Sequence, residues 1–157
     1  MKKLISILVF ITLFGCTQYI PPKEYYILKE FTFDKSYEAT WNKIIEYFAN
    51  RGIPIKNMDK SSGFISTEYS LNLDYGCMEC GSQSGNILDN YSTDDRRGYF
   101  NILIKNIADN KTKVNINCFF RATMNIRDMY GKLIRSQNAD CNSTGELEKE
   151  IFDFIGQ

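Results

Sequence analysis

Lys113-Val-Asn-Ile-Asn-Cys-Phe-Phe-Arg-Ala-Thr-Met-Asn-Ile-Arg127 puts Val114, Ile116, Cys118, Phe120, Ala122, Met124 and Ile126 at every second position. A period of two predicts a strand with one buried face. Asn115, Asn117 and Arg121 fall on the other face, toward water, with Phe119 the apolar exception. Upstream, Tyr99–Ile107 alternates Phe100, Ile102 and Ile104 against Tyr99, Asn101, Leu103 and Lys105. Asp109-Asn110-Lys111 between the two runs reads as a hairpin turn, with Asn110 suited to the left-handed conformation. Ser62-Gly63 turns into Phe64–Leu71, where Ile65, Thr67, Tyr69 and Leu71 alternate with Phe64, Ser66, Glu68 and Ser70. Tyr25–Phe33, Ile53–Met58 and Leu133–Cys141 are further extended segments.

Two segments change period. Tyr37, Trp41, Ile44, Ile45 and Phe48 line one face of a helix that Asp34 or Ser36 would cap and Arg51-Gly52 would close. Ser143-Thr144-Gly145-Glu146 has capping-box spacing, and Leu147, Ile151, Phe154 and Ile155 form one apolar face behind it. One-sided strands need a cover, and two amphipathic helices supply it. The expected fold is α+β: an antiparallel sheet of about five to six strands with two helices packed on one face. The Trp41 stripe reads as core.

The 157 residues suffice for one domain of useful size, and 43% hydrophobic with 24% charged content suits a packed core. Lys+Arg and Asp+Glu balance at 19 each, which gives no footprint for nucleic acid. The chain has no histidine. That excludes Ser-His-Asp and Cys-His nucleophile systems and HExxH metal sites. No catalytic constellation, metal site or cofactor is expected, and the chain reads as a non-enzyme.

Residues 1–15 carry Lys2-Lys3, an apolar run from Leu4 to Phe14, then Gly15 before Cys16. The run is short for a permanent span, which needs about 20 residues, and reads as a secretory signal. Leu13-Phe14-Gly15-Cys16 resembles a bacterial lipobox, which implies cleavage before Cys16 and acylation of that residue. Cleavage removes two of the 19 basic residues, leaving 17 against 19 acidic and no polybasic patch. Thr17, not aspartate, follows the cysteine. In a Gram-negative envelope the resemblance therefore implies the periplasmic face of the outer membrane. Residues 16–23, broken by Pro21-Pro22, read as a short tether, and 24–157 as one domain.

Cys77, Cys80, Cys118 and Cys141 remain, an even number suited to disulfides in an exported chain. Three pairings are open, and the sequence alone does not choose. Cys80–Cys141 would tie the segment 74–98 to the start of the last helix, with Cys77–Cys118 second. Cys118 also falls on an apolar face, where a buried thiol is the alternative. Cys77-Met-Glu-Cys80 supplies one zinc-ligand pair, but Cys118 and Cys141 stand singly. As a redox couple the motif lacks a following helix. Residues 74–98, rich in Gly, Ser, Asp and Asn, read as a long loop and a first candidate for a private binding surface.

Phe33-Asp-Lys-Ser-Tyr-Glu-Ala-Thr-Trp41, followed by Asp59-Lys-Ser-Ser-Gly-Phe-Ile-Ser-Thr-Glu68, resembles a pattern of small envelope lipoproteins. The layout is similar to the helix-grip domains of BamC, a lipoprotein of the outer-membrane barrel-assembly machinery. The resemblance implies a helix-grip fold and a role in envelope or outer-membrane assembly. Cys80-Gly81 with Cys141-Asn-Ser-Thr-Gly-Glu-Leu-Glu148 resembles a signature of uncharacterised lipoproteins of this kind, and it fits a Cys80–Cys141 bridge.

The leading expectation is a lipid-anchored module that binds an envelope protein. Its surface would comprise Tyr91, Arg96, Arg97, Asn115, Asn117, Phe119 and Arg121. Two other classes stand beside it. One is a small-molecule or glycan binder, using a groove between helix and sheet with Tyr75, Tyr91 and Tyr99. The other is a thiol oxidoreductase using Cys77 and Cys80.

Overall fold

The alternating stretch forms one arm of a long antiparallel hairpin. In a computed structural model, residues 18–69, 71–72, 76–84 and 89–157 are described. The elements are β1 (Gln18–Ile20), β2 (Glu30–Phe33), α1 (Tyr37–Arg51), β3 (Ile55–Asp59), β4 (Phe64–Thr67), β5 (Leu71–Asn72) and β6 (Met78–Glu79). Then follow β7 (Ser82–Ser84), β8 (Asn90–Ala108), β9 (Lys111–Arg127), β10 (Leu133–Ser143) and α2 (Glu146–Gly156). Eight strands form the main sheet in the order β3-β4-β8-β9-β10-β6, with β2 on β9 and β5 on β8. Every pairing is antiparallel. The fold is α+β with both helices over one sheet face. Six of the eight strands are four residues or longer, and β5 and β6 are two-residue additions.

The buried face of β8 and β9 carries Phe100, Ile102, Ile104, Val114 and Ile116, as the alternation predicts. Helix α1 begins where Ser36 Oγ accepts from Ala39 N–H at 3.3 Å, and it ends at Gly52, whose φ of 61° suits a residue without a side chain. Asp34 instead faces Lys111 in an ion pair. Phe48 of α1 stacks on Phe100, and Tyr47 meets Phe154 of α2. Phe152, rather than Phe154, is the fully packed aromatic of α2, lying against Phe33. Phe154 is half-buried because it faces α1 at the edge of the helix pair.

Four expectations are corrected. Residues 90–98 are not loop: they extend β8, with Asn90–Asp94 paired to Arg127–Thr123 and Gly98 to Phe120. Their polar side chains hide a strand that is held by backbone pairing. A register shift between Asp94 and Arg97 accommodates a bulge in which Asp95 takes a φ of 46°. Within the same segment, Met78–Glu79 and Ser82–Ser84 are short strands. Second, Asn110 does not adopt the left-handed conformation; the slack is taken up by a register shift between Asn106 and Ala108. Third, only Glu30–Phe33 of the segment 25–33 is strand, because β2 meets only the first residues of β9.

The fourth concerns the tether. Residues 18–23 lie on the domain: β1 pairs with β7, Lys23 N–H donates to the Glu79 carboxylate, and Asn142 Nδ2 donates to Lys23 O at 3.1 Å. Pro21 and Pro22 lack N–H groups, but their neighbours find partners on β7 and β6. Gly81 permits this approach. A Cβ there would sit 2.3 Å from Ile20 O, on a backbone with φ of 75°. Residues 1–17, including the signal and Cys16, lie outside the described residues, as does Tyr75.

Replacing Gly81→Ala is expected to cost about 1–2 kcal/mol for the left-handed backbone alone and to detach the N-terminal strand. Hydrogen exchange would read this as faster exchange at Tyr19–Ile20 with the β8–β9 amides unchanged.

Candidate functional site: the open sheet face

One sheet face is sealed by helices; among the described residues the other is open. Cross-strand partners on an antiparallel pair share a face. Tyr99 opposes Phe119, Asn101 opposes Asn117, Leu103 opposes Asn115, and Arg97 opposes Arg121. The Tyr99 and Phe119 rings stack with centroids 4.7 Å apart, and Tyr69 leans on Tyr99 at 5.7 Å. Among the described residues Phe119 is 44% exposed, a large apolar surface on this face. Arg121 Nε donates to Asp140 Oδ1 at 2.9 Å, which holds the guanidinium beside the rings. Asn117 Nδ2 donates to Asn115 Oδ1 at 2.7 Å. Rings, Arg121, Asp140 and the adjoining strands border an open groove of about 530 Å³.

Five residues expected at a partner surface therefore share this face: Arg97, Asn115, Asn117, Phe119 and Arg121. Tyr91 does not. It opposes Ile126, whose side chain is buried, so it belongs to the covered side. Arg96 sits in the bulge, half-buried. Tyr69 and Asp140 join the site without having been singled out, and Tyr99 joins it here instead of in a helix–sheet groove, which is filled by core. The sequence signal was one residue off: a hairpin turn at 109–110 alone sets Tyr99 opposite Phe120, and the register shift between Asn106 and Ala108 moves it opposite Phe119.

The cysteines divide. Cys80 and Cys141 form a disulfide, positioned by the β6–β10 pairing of Glu79 with Asn142. Cys80 is thus bonded away from Cys77, and the two cysteines of the CxxC are not joined to each other. Cys77 and Cys118 keep their thiols, so a second bridge is not formed. Burial, then the charge of Glu148 and a hydrogen bond to it, push the Cys118 thiol far above its ordinary value. Such a thiol stays protonated and unreactive.

Glu148 is 1% exposed. Its Oε2 accepts from Ser143 Oγ at 2.8 Å, and Ser143 Oγ in turn accepts from Gly145 N–H at 3.1 Å. The expected capping box is not built: α2 starts two residues later, with Gly145 at its N-cap and no side-chain cap. Ser143 is still part of β10, so its hydroxyl is spent bridging strand to helix. The buried carboxylate gains from the positive end of α2. Tyr47 is pushed up as well, by burial and then by Glu150, to whose Oε1 it donates at 3.1 Å. Among the described residues no helix is long and apolar enough to cross a membrane. The chain matches no family model and no curated protein sequence.

Two outcomes test this chemistry. Reducing the Cys80–Cys141 bridge, which closes a separation of 61 residues, should lower unfolding stability by about 4 kcal/mol in the chain-entropy model, read by urea denaturation. Iodoacetamide at pH 8 should modify Cys118 in the folded protein far more slowly than in urea. The folded thiol holds a proton that the unfolded chain loses above the ordinary value of 9.0. Its contribution to stability is therefore present below that pH and is lost as pH rises past it.

Proposed function

We propose that this chain is a non-catalytic, lipid-anchored lipoprotein of the bacterial cell envelope. In this reading its open sheet face binds another envelope protein. The observation that carries the proposal is the exposed Tyr69–Tyr99–Phe119 ring cluster beside the Arg121–Asp140 pair. Aromatic and arginine side chains held rigidly on strands are what protein interfaces use as anchors, because they bury large areas at small entropic cost. The sheet can hold these rings in place before binding. The anchor in this reading is acyl chains on Cys16, with the domain facing the periplasm from the outer membrane. A role in envelope or outer-membrane assembly follows from the resemblance of the Trp41 helix and Gly63 turn to small envelope lipoproteins.

A second reading, a glycan platform, is supported by the amides of Asn101, Asn115 and Asn117 beside the rings, since sugars take hydrogen bonds at their hydroxyls and ring contact at their C–H faces. A photo-crosslinking amino acid at position 119 distinguishes the two. The protein reading expects one discrete crosslinked partner band from intact cells. Loss of that band with Arg121→Glu, and at least about a 10-fold weaker association for Phe119→Ala, should accompany an unchanged melting temperature. Crosslinking only to glycan, or no change on substituting Phe119, rejects the protein reading.

A further inference from the structure

The turn between β9 and β10 carries an apolar cluster that none of the described elements covers. Tyr130 is 86% exposed, Met129 and Ile134 are each 58%, and Leu133 is 46%. Ile134 stands at a register shift between Leu133 and Arg135, and bulges of this kind turn a side chain away from the regular ladder. Arg127, Lys132 and Arg135 surround the cluster, all exposed, with Asp128 the only acid between positions 127 and 135.

Asp128 offsets one of those three cations, which leaves a charge of +2 over positions 127 to 135, and it also closes the turn. Its Oδ1 accepts from the backbone N–H of Tyr130 and of Lys132, both at 2.9 Å. Asp128 N–H donates to Lys132 O at 2.9 Å, Gly131 N–H to Asp128 O at 2.9 Å, and Arg127 Nη1 to Gly131 O at 3.2 Å. Gly131, at φ of 82°, allows the tight closure. Four of the five backbone donors from Asp128 to Lys132 are thus satisfied within the turn, at a place where water is fully available to satisfy them. That internal closure matters where water is scarce, since an unpaired backbone group costs several kcal/mol in a bilayer.

We propose that this hairpin tip is a membrane-docking element: Met129, Tyr130, Leu133 and Ile134 enter the interfacial zone of an anionic bilayer while Arg127, Lys132 and Arg135 meet its phosphates. The chemistry is that of interfacial anchors, an aromatic with a polar end, aliphatic neighbours and flanking cations. The inference rests on the reading of Cys16 as acylated and supplies what that reading lacks. With β1 docked on β7, only Thr17 lies between Cys16 and Gln18, two Cα steps with a reach of about 7 Å. A domain held that close meets the bilayer with its own surface. A further exposed apolar patch, Tyr26, Leu28 and Phe31, borders Glu146 and the Lys149–Asp153 ion pair and so lacks a net cationic rim for anionic headgroups.

The test uses the chain's single tryptophan. Trp41 is buried, so Tyr130→Trp adds one indole that reports on the tip. The acylated protein is reconstituted into phosphatidylethanolamine vesicles with and without phosphatidylglycerol, and Cys16 acylation is read by intact mass. The expected result is a blue shift of the added indole and loss of most of its emission to shallow brominated lipid, stronger with phosphatidylglycerol. The double variant Met129→Asp, Ile134→Asp should abolish the quenching at unchanged acylation and melting temperature. Acylated protein whose indole stays water-exposed overturns the inference alone. Shielding in native membranes but not in lipid vesicles means a protein covers the tip, and also overturns it. A Cys16 without acyl mass overturns the anchoring reading, and the tip inference with it.

Discussion

The β8–β9 ladder is the constraint on which the molecule depends. It runs from Asn90–Arg127 to Ala108–Lys111, and the main sheet is built outward from it. The outer edge of β9 is divided between β2, which takes Thr112–Asn115, and β10, which takes Phe120–Arg127. The outer edge of β8 receives β4 and β5. Gly63 marks how closely the neighbouring turn is pressed on: its carbonyl accepts from Ile104 N–H at 2.9 Å, and a Cβ there would lie 2.0 Å from Ile104 O. Because side chains alternate, one hairpin sets both the buried face that receives the helices and the open face that presents the rings.

The second organising feature is where β10 passes into α2. Within a few residues, Cys141 is bonded to Cys80, Ser143 bridges Glu148 and Gly145, Thr144 N–H donates to Cys77 O, and Asn142 holds Lys23. The irregular segment, the N-terminal strand and the last helix all meet there. This junction converts an expected tether into part of the domain. An acyl group on Cys16 would then hold the body at a short fixed reach, with consequences for which surfaces meet lipid and which stay free for a partner.

Much of the architecture was legible from local pattern. The alternation of Val114 through Ile126 and the Trp41–Phe48 stripe are properties of adjacent residues, and Ser36 and Gly52 end α1 by local chemistry. The site was legible in half. Asn115, Asn117, Phe119 and Arg121 follow from alternation in one strand. Tyr91 was expected on a loop surface; β8 extends through it, and the bulge at Asp95 shifts its parity to the covered side, a shift written in pairing rather than in residue type. The polar residues from Asn90 to Arg97 carry no apolar period, so nothing in them announces a strand.

By itself the sequence determined the α+β class, the faces of the central strands and the limits of α1, since steric and hydrophobic preferences acting over a few residues decide these. Only the tertiary structure decided that Cys80 meets Cys141, that residues 18–23 lie on the domain, that Ser143 serves a buried Glu148 instead of a helix cap, and that Tyr69, Tyr99 and Phe119 form one cluster. Each of those depends on backbone partners far apart in the chain, and such pairings exist only once the hairpin has brought them within a hydrogen bond of one another.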